Sequence, residues 1–159
     1  LLAMAVAAAQ GLGATRAILW QPVIDGARYL AQLLRLRLAA SLGAGSKETA
    51  SGLRDRLLGG EALEIGGYRI ASALAQELDQ EKLEPLVMNF RGPLTWLEVV
   101  ADSGDALTPA STQVIDRAKL QGIKVLPVAI GGEPYWASAE LVRNPELVRQ
   151  TVAALALPS

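Results

Sequence analysis

The chain has 159 residues, 51% of them hydrophobic, with 15 Lys and Arg against 16 Asp and Glu for a net charge of -1. That is enough for one domain with a real core, and so even a charge balance points to no polyanionic partner, so no nucleic acid is expected as ligand. No Cys and no His are present, which removes disulfides, thiol nucleophiles and the commonest general base and metal ligand, so neither a metal nor a cofactor is expected.

Residues 1–10, Leu-Leu-Ala-Met-Ala-Val-Ala-Ala-Ala-Gln, are apolar on every face, as a helix buried between layers would be. A chain seldom starts inside its own core. The expectation is therefore a C-terminal portion of a larger domain, with the N-terminal part of that domain as its missing partner. No charged segment precedes the run as it would in a signal peptide, and ten residues are too few to cross a bilayer, so a soluble protein without stable membrane insertion is expected. Gly11-Leu12-Gly13 follows a helix and reads as its C-terminal turn; a phosphate-cradling loop would need glycines between a strand and a helix start. Arg16 to Trp20 reads as a buried strand that delivers Gln21 and Asp25 towards the crevice at its carboxyl end.

From Asp25 to about Leu42 the leucine-rich run with Arg28, Arg35 and Arg37 predicts a helix. It packs a leucine face on its own domain, although a basic amphipathic helix can also lie on an anionic membrane. Gly43 to Ser51 reads as a loop and Leu53 to Leu58 as a short helix. Leu63 to Ile70 forms two extended arms around Gly66-Gly67, and Ser72 caps a helix over Ala73 to Asp79. Residues 25–90 thus form a mostly helical insertion, a cap or lid, between two strands of one sheet.

The two apolar runs Leu94 to Ala101 and Ile123 to Ile130 are joined by a polar helix. Thr108-Pro109 starts that helix and Gly122 closes it. This is a βαβ unit, and a crossover of this length implies parallel strands. Open parallel sheets place their chemistry beyond the carboxyl ends of the strands, here Asp102 to Asp105 and Gly131 to Trp136. Asn144-Pro145-Glu146 starts a last helix to Leu155. The strands near 16–20, 94–101 and 123–130 are expected in that spatial order. Three strands leave a sheet margin unpaired, so association into an oligomer is also expected.

Strand, helical insertion, strand ending in Asp, helix, strand, loop and terminal helix is the order of the C-terminal half of an α/β-hydrolase. Ala-Ile-Leu-Trp-Gln-Pro-Val, Leu-Leu-Arg-Leu-Arg, Glu-Ile-Gly-Gly-Tyr-Arg-Ile and Gly-Glu-Pro-Tyr-Trp more narrowly resemble the exosortase A system-associated hydrolases, type 2, over nearly the whole chain. The resemblance implies a three-layer α/β/α sandwich in which 1–24 and 91–159 belong to the hydrolase core and 25–90 to the cap. It implies a cytoplasmic protein, peripheral at the inner membrane, that takes an acyl or glycan-linked small molecule.

The nucleophile implied by the resemblance precedes Leu1. Asp105, in Ser-Gly-Asp-Ala-Leu-Thr-Pro, fits the acid, with Asp102 as the alternative; both can equally be solvated loop carboxylates near a helix start. The base should follow the last strand, where Gly131-Gly132-Glu133-Pro134-Tyr135-Trp136 supplies Glu133 in place of His. Gln21, Tyr135 and Trp136 would line the substrate pocket. A glutamate side chain in water titrates near pH ~4.3 and is a poor base for a serine hydroxyl. Two functions follow: an ester, thioester or amide hydrolase or acyltransferase with a nonstandard base, or a catalytically inactive relative acting as a binding or accessory protein.

Overall fold

Three short runs of large apolar residues become the parallel sheet. In the computed structural model, which describes residues 14–41, 48–102, 104–133 and 143–156, strands β1 (Ala17–Trp20), β4 (Leu94–Val100) and β5 (Val125–Gly131) lie in the order β1-β4-β5. Both pairings are parallel, with Ala17 opposite Leu94 and Leu94 opposite Val125. The protein is therefore mixed α/β, and the expected strand order and direction are those observed. The opening apolar segment 1–10, its glycine turn, residues 43–47, Tyr135 and Trp136 lie outside the described residues.

The chain divides into two compact units, residues 25–82 and the remainder. In the sheet unit β4 is central and six of its seven residues are buried, as a strand covered on both faces must be. One face carries Leu19, Leu94, Trp96 and Val125 against helices α4 (Leu83–Asn89) and α5 (Pro109–Leu120), through Leu83, Val87, Val114, Ile115 and Ala118. The other carries Leu97 and Ile130 against Leu147 of helix α6 (Pro145–Ala156). Each fully buried leucine contributes roughly 1.5–3 kcal/mol of transfer free energy.

Polar contacts fix α6 at its start, its middle and its end. Asn144 Oδ1 accepts from the Leu147 amide at 3.0 Å at its start. At its end the Arg16 guanidinium donates to the carbonyls of Ala154 and Leu155, where a cation suits the helix dipole. Between them the Trp20 indole donates to Thr151 Oγ1 at 2.9 Å. Pro127 sits within β5, an outer strand of the sheet, where a missing N–H leaves the ladder intact.

The unit 25–82 has its own core of Leu30, Leu34, Leu53, Leu57, Leu63, Ile65 and Ala75. Helix α1 (Gly26–Ser41) presents Leu30 and Leu34 to it, and α2 (Ala50–Leu58) presents Leu53 and Leu57. The hairpin β2 (Leu63–Ile65) and β3 (Tyr68–Ile70) closes on Gly66-Gly67, whose φ values of 56° and 81° define a left-handed turn that glycine alone adopts freely. Arg37 of α1 donates to the Glu64 carbonyl at 2.8 Å and pairs with Glu48. Arg28 and Arg35 are exposed.

Two expectations are corrected here. Helix α3 (Ser72–Gln80) has Ala71 as its N-cap with no side-chain cap bond; β3 ends at Ile70, the chain turns at once, and Ser72 is already helical. The insertion ends at Lys82 and not near 90, because Leu83, Val87 and Phe90 are buried with the sheet's own core.

Candidate active site

β1, β4 and β5 end side by side, and three hydrogen bonds hold the segments that leave them. The Gln21 amide donates to the Leu97 carbonyl at 2.8 Å. Its side-chain Oε1 accepts from the Val99 amide, also at 2.8 Å. The Gly132 amide donates to the Val100 carbonyl at 3.0 Å. Gln21, the 101–108 loop and the 131–133 segment are therefore brought together at the carboxyl ends, where the βαβ argument places chemistry. Gln21 holds a φ of 39°, an uncommon conformation for a residue with a side chain. Its side-chain oxygen accepts from β4.

Within the 101–108 loop, Asp105 Oδ2 accepts from the Asp102 amide at 3.0 Å while the Asp105 amide donates back to the Asp102 carbonyl at 2.9 Å. This reciprocal pair closes a tight turn whose two carboxylates are both exposed. The loop ends on Thr108, which caps α5 with its hydroxyl accepting from the Ser111 amide, and Pro109 occupies the first turn.

Beneath the loop lies a group not singled out from the sequence. Glu98, 1% exposed in the middle of β4, accepts from the Thr108 amide through Oε1 at 2.8 Å and from the Trp96 indole through Oε2 at 3.2 Å. A buried carboxylate survives only with such partners. The legible signal was the single charge in the apolar run Leu-Thr-Trp-Leu-Glu-Val-Val.

Glu133 is exposed just beyond β5. Gly132 before it has a φ of 152°, and a Cβ there would come within 2.7 Å of Asn144 Nδ2, so glycine is what lets the α6 cap approach the strand end. Asp25, expected in the same crevice, is committed elsewhere. Its Oδ2 meets Lys82 Nζ at 2.8 Å and its Oδ1 accepts from the Arg28 amide at 3.0 Å. The Lys82 ammonium first and that amide second hold its carboxyl below the usual carboxylate range. Among the described residues no cluster of three carboxylates suited to a metal ion occurs.

What fold and site define is a mixed α/β protein with exposed acidic loops at the carboxyl margin of a three-stranded parallel sheet. No family model matches the chain, and no curated protein matches it either.

Proposed function

We propose that the chain is an α/β-hydrolase-type protein serving an exosortase and exopolysaccharide system at the cytoplasmic side of the inner membrane, with residues 25–82 as its helical cap. Its substrate class is an acyl or glycan-linked small molecule, and its reaction is hydrolysis or acyl transfer at an ester, thioester or amide. The supporting observation is the parallel β1-β4-β5 register with an acidic loop leaving β4 beside the 131–133 segment. In this reading Asp105 is the acid, with Asp102 as its alternative, and Glu133 stands where a hydrolase carries its base. Gln21 offers its amide nitrogen to the ligand.

A second reading, an inactive relative that binds the same class of molecule as an accessory protein, has a specific basis. The chain has no His, Glu133 is exposed, and Asp105 already spends one oxygen on the Asp102 amide. Loss of a general base costs about 10²- to 10⁴-fold in rate. The deciding measurement is hydrolysis of short and long acyl p-nitrophenyl esters by the full protein, beside Asp105→Asn and Glu133→Gln. Robust turnover abolished by both substitutions establishes the enzyme with Glu133 as base. Negligible turnover in every form, with saturable binding of acyl ligands, establishes the accessory protein.

A further inference from the structure

Glu98 belongs neither to the apolar core around it nor to the exposed acids above it. Its neighbours on the same face of β4 are apolar: Trp96 is fully buried, and Leu94 is 1% exposed. An ionisable side chain in such surroundings is costly unless its oxygens find donors. Each of the two has one. The Thr108 donor is the residue at which the 101–108 loop ends and α5 begins. The other end of the loop is closed by the reciprocal Asp102–Asp105 contacts.

We propose that Glu98 is a positioning residue: its buried carboxylate anchors Thr108 to β4 and thereby sets the place of Asp105, three residues upstream, without touching a ligand. The Trp96 indole donates to the second oxygen. The loop is thus tied to the strand it has just left. This deepens the reading of Asp105 as the acid and rests on it for its chemical meaning.

The test separates the anchor from the chemistry. Amide hydrogen exchange followed by NMR is measured on the full protein and on Glu98→Met, which keeps the length of the side chain and removes both acceptors. Expected is acceleration of the Thr108 and Asp105 amides by about tenfold or more, the loss of roughly one buried hydrogen bond, with β4 and α5 interior amides unchanged. Glu98→Gln, which retains one acceptor oxygen, restores part of the protection. Acceleration confined to the loop supports the anchor whether or not any form turns over esters, so failure of the hydrolase reading alone leaves it standing. Unchanged loop amides, or acceleration spread evenly over the whole sheet unit, overturn it. Should Glu98→Met fail to fold, a through-hydrogen-bond coupling between the Thr108 amide nitrogen and Glu98 Cδ in the unsubstituted protein takes its place; its absence overturns the proposal.

Discussion

Gln21 and Val99 are joined by a side chain acting as backbone. After Trp20 the β1 chain turns away through a left-handed residue, yet Gln21 Oε1 accepts the Val99 amide at 2.8 Å in the place a further strand carbonyl would occupy. Strand pairing is thereby extended by one bond beyond the last true strand residue.

Removing that oxygen leaves a half-buried amide without its acceptor. Gln21→Ala is expected to destabilise the protein by about 1 kcal/mol, the net worth of one such bond, whereas Gln21→Glu retains an acceptor oxygen and loses less. Urea unfolding followed by circular dichroism measures both, and equal losses would show that the left-handed backbone rather than the hydrogen bond matters at this position.

Gly132 and Asn144 should be energetically coupled. A Cβ at 132 meets Asn144 Nδ2 within 2.7 Å on a backbone already unfavourable to side chains, and Asn144 caps α6. Loss of the cap in Asn144→Ala costs about 1 kcal/mol. Gly132→Ala costs more, and the double variant costs less than the two single losses added, because the clash disappears with the amide. Strict additivity in a double-mutant cycle would refute the contact.

Two hydroxyls distinguish a true helix cap from a residue that only looks like one. Thr49 caps α2, its hydroxyl accepting from the Gly52 amide at 3.1 Å, and Thr49→Ala should cost about 1 kcal/mol. Ser72 makes no cap bond, so Ser72→Ala should fall within about 0.5 kcal/mol of the unsubstituted protein. Thermal unfolding of the pair of variants checks the contrast.

That contrast shows what local pattern could and could not reveal. Thr108-Pro109, Asn144-Pro145 and Gly66-Gly67 were legible because each element is defined within a few residues: a cap oxygen, a preset φ, a left-handed pair. Strand order and direction were legible because the length of the 94–130 segment and its apolar ends leave few alternatives. Ser72 misled because the boundary was set by where β3 ends, a tertiary fact. Asp25 misled for a similar reason, since its partner Lys82 is distant in sequence. Glu98 reads as an oddity in a strand until the fold brings the Thr108 amide above it.

The Asp25–Lys82 ion pair gives a pH dependence of known sign. The folded-state pKa of Asp25 lies below its ordinary value of 3.8, chiefly through the Lys82 hydrogen bond. A lowered folded pKa contributes stability that is present above the unfolded pKa and disappears as pH falls through the folded one. Lys82→Met is therefore expected to lose stability at pH about 6 and to show a flatter decline below pH about 4 than the unsubstituted protein. Unfolding curves across that range provide the check. Parallel declines would indicate that the pair, whose lysine is 63% exposed, is screened into insignificance.

The ladder around that pair has a topological meaning. The Leu83 amide donates to the Ile24 carbonyl at 3.0 Å and the Gly26 amide to the Glu81 carbonyl at 3.0 Å, with Asp25 and Lys82 bridged antiparallel between them. The excursion through residues 25–82 begins and finishes at one spot, so the backbone path from β1 onward to α4 is the same as if a two-residue hairpin turn stood in its place. The two ends of the 58-residue module (residues 25 to 82) adjoin, and the excursion leaves the strand sequence of the sheet unbroken.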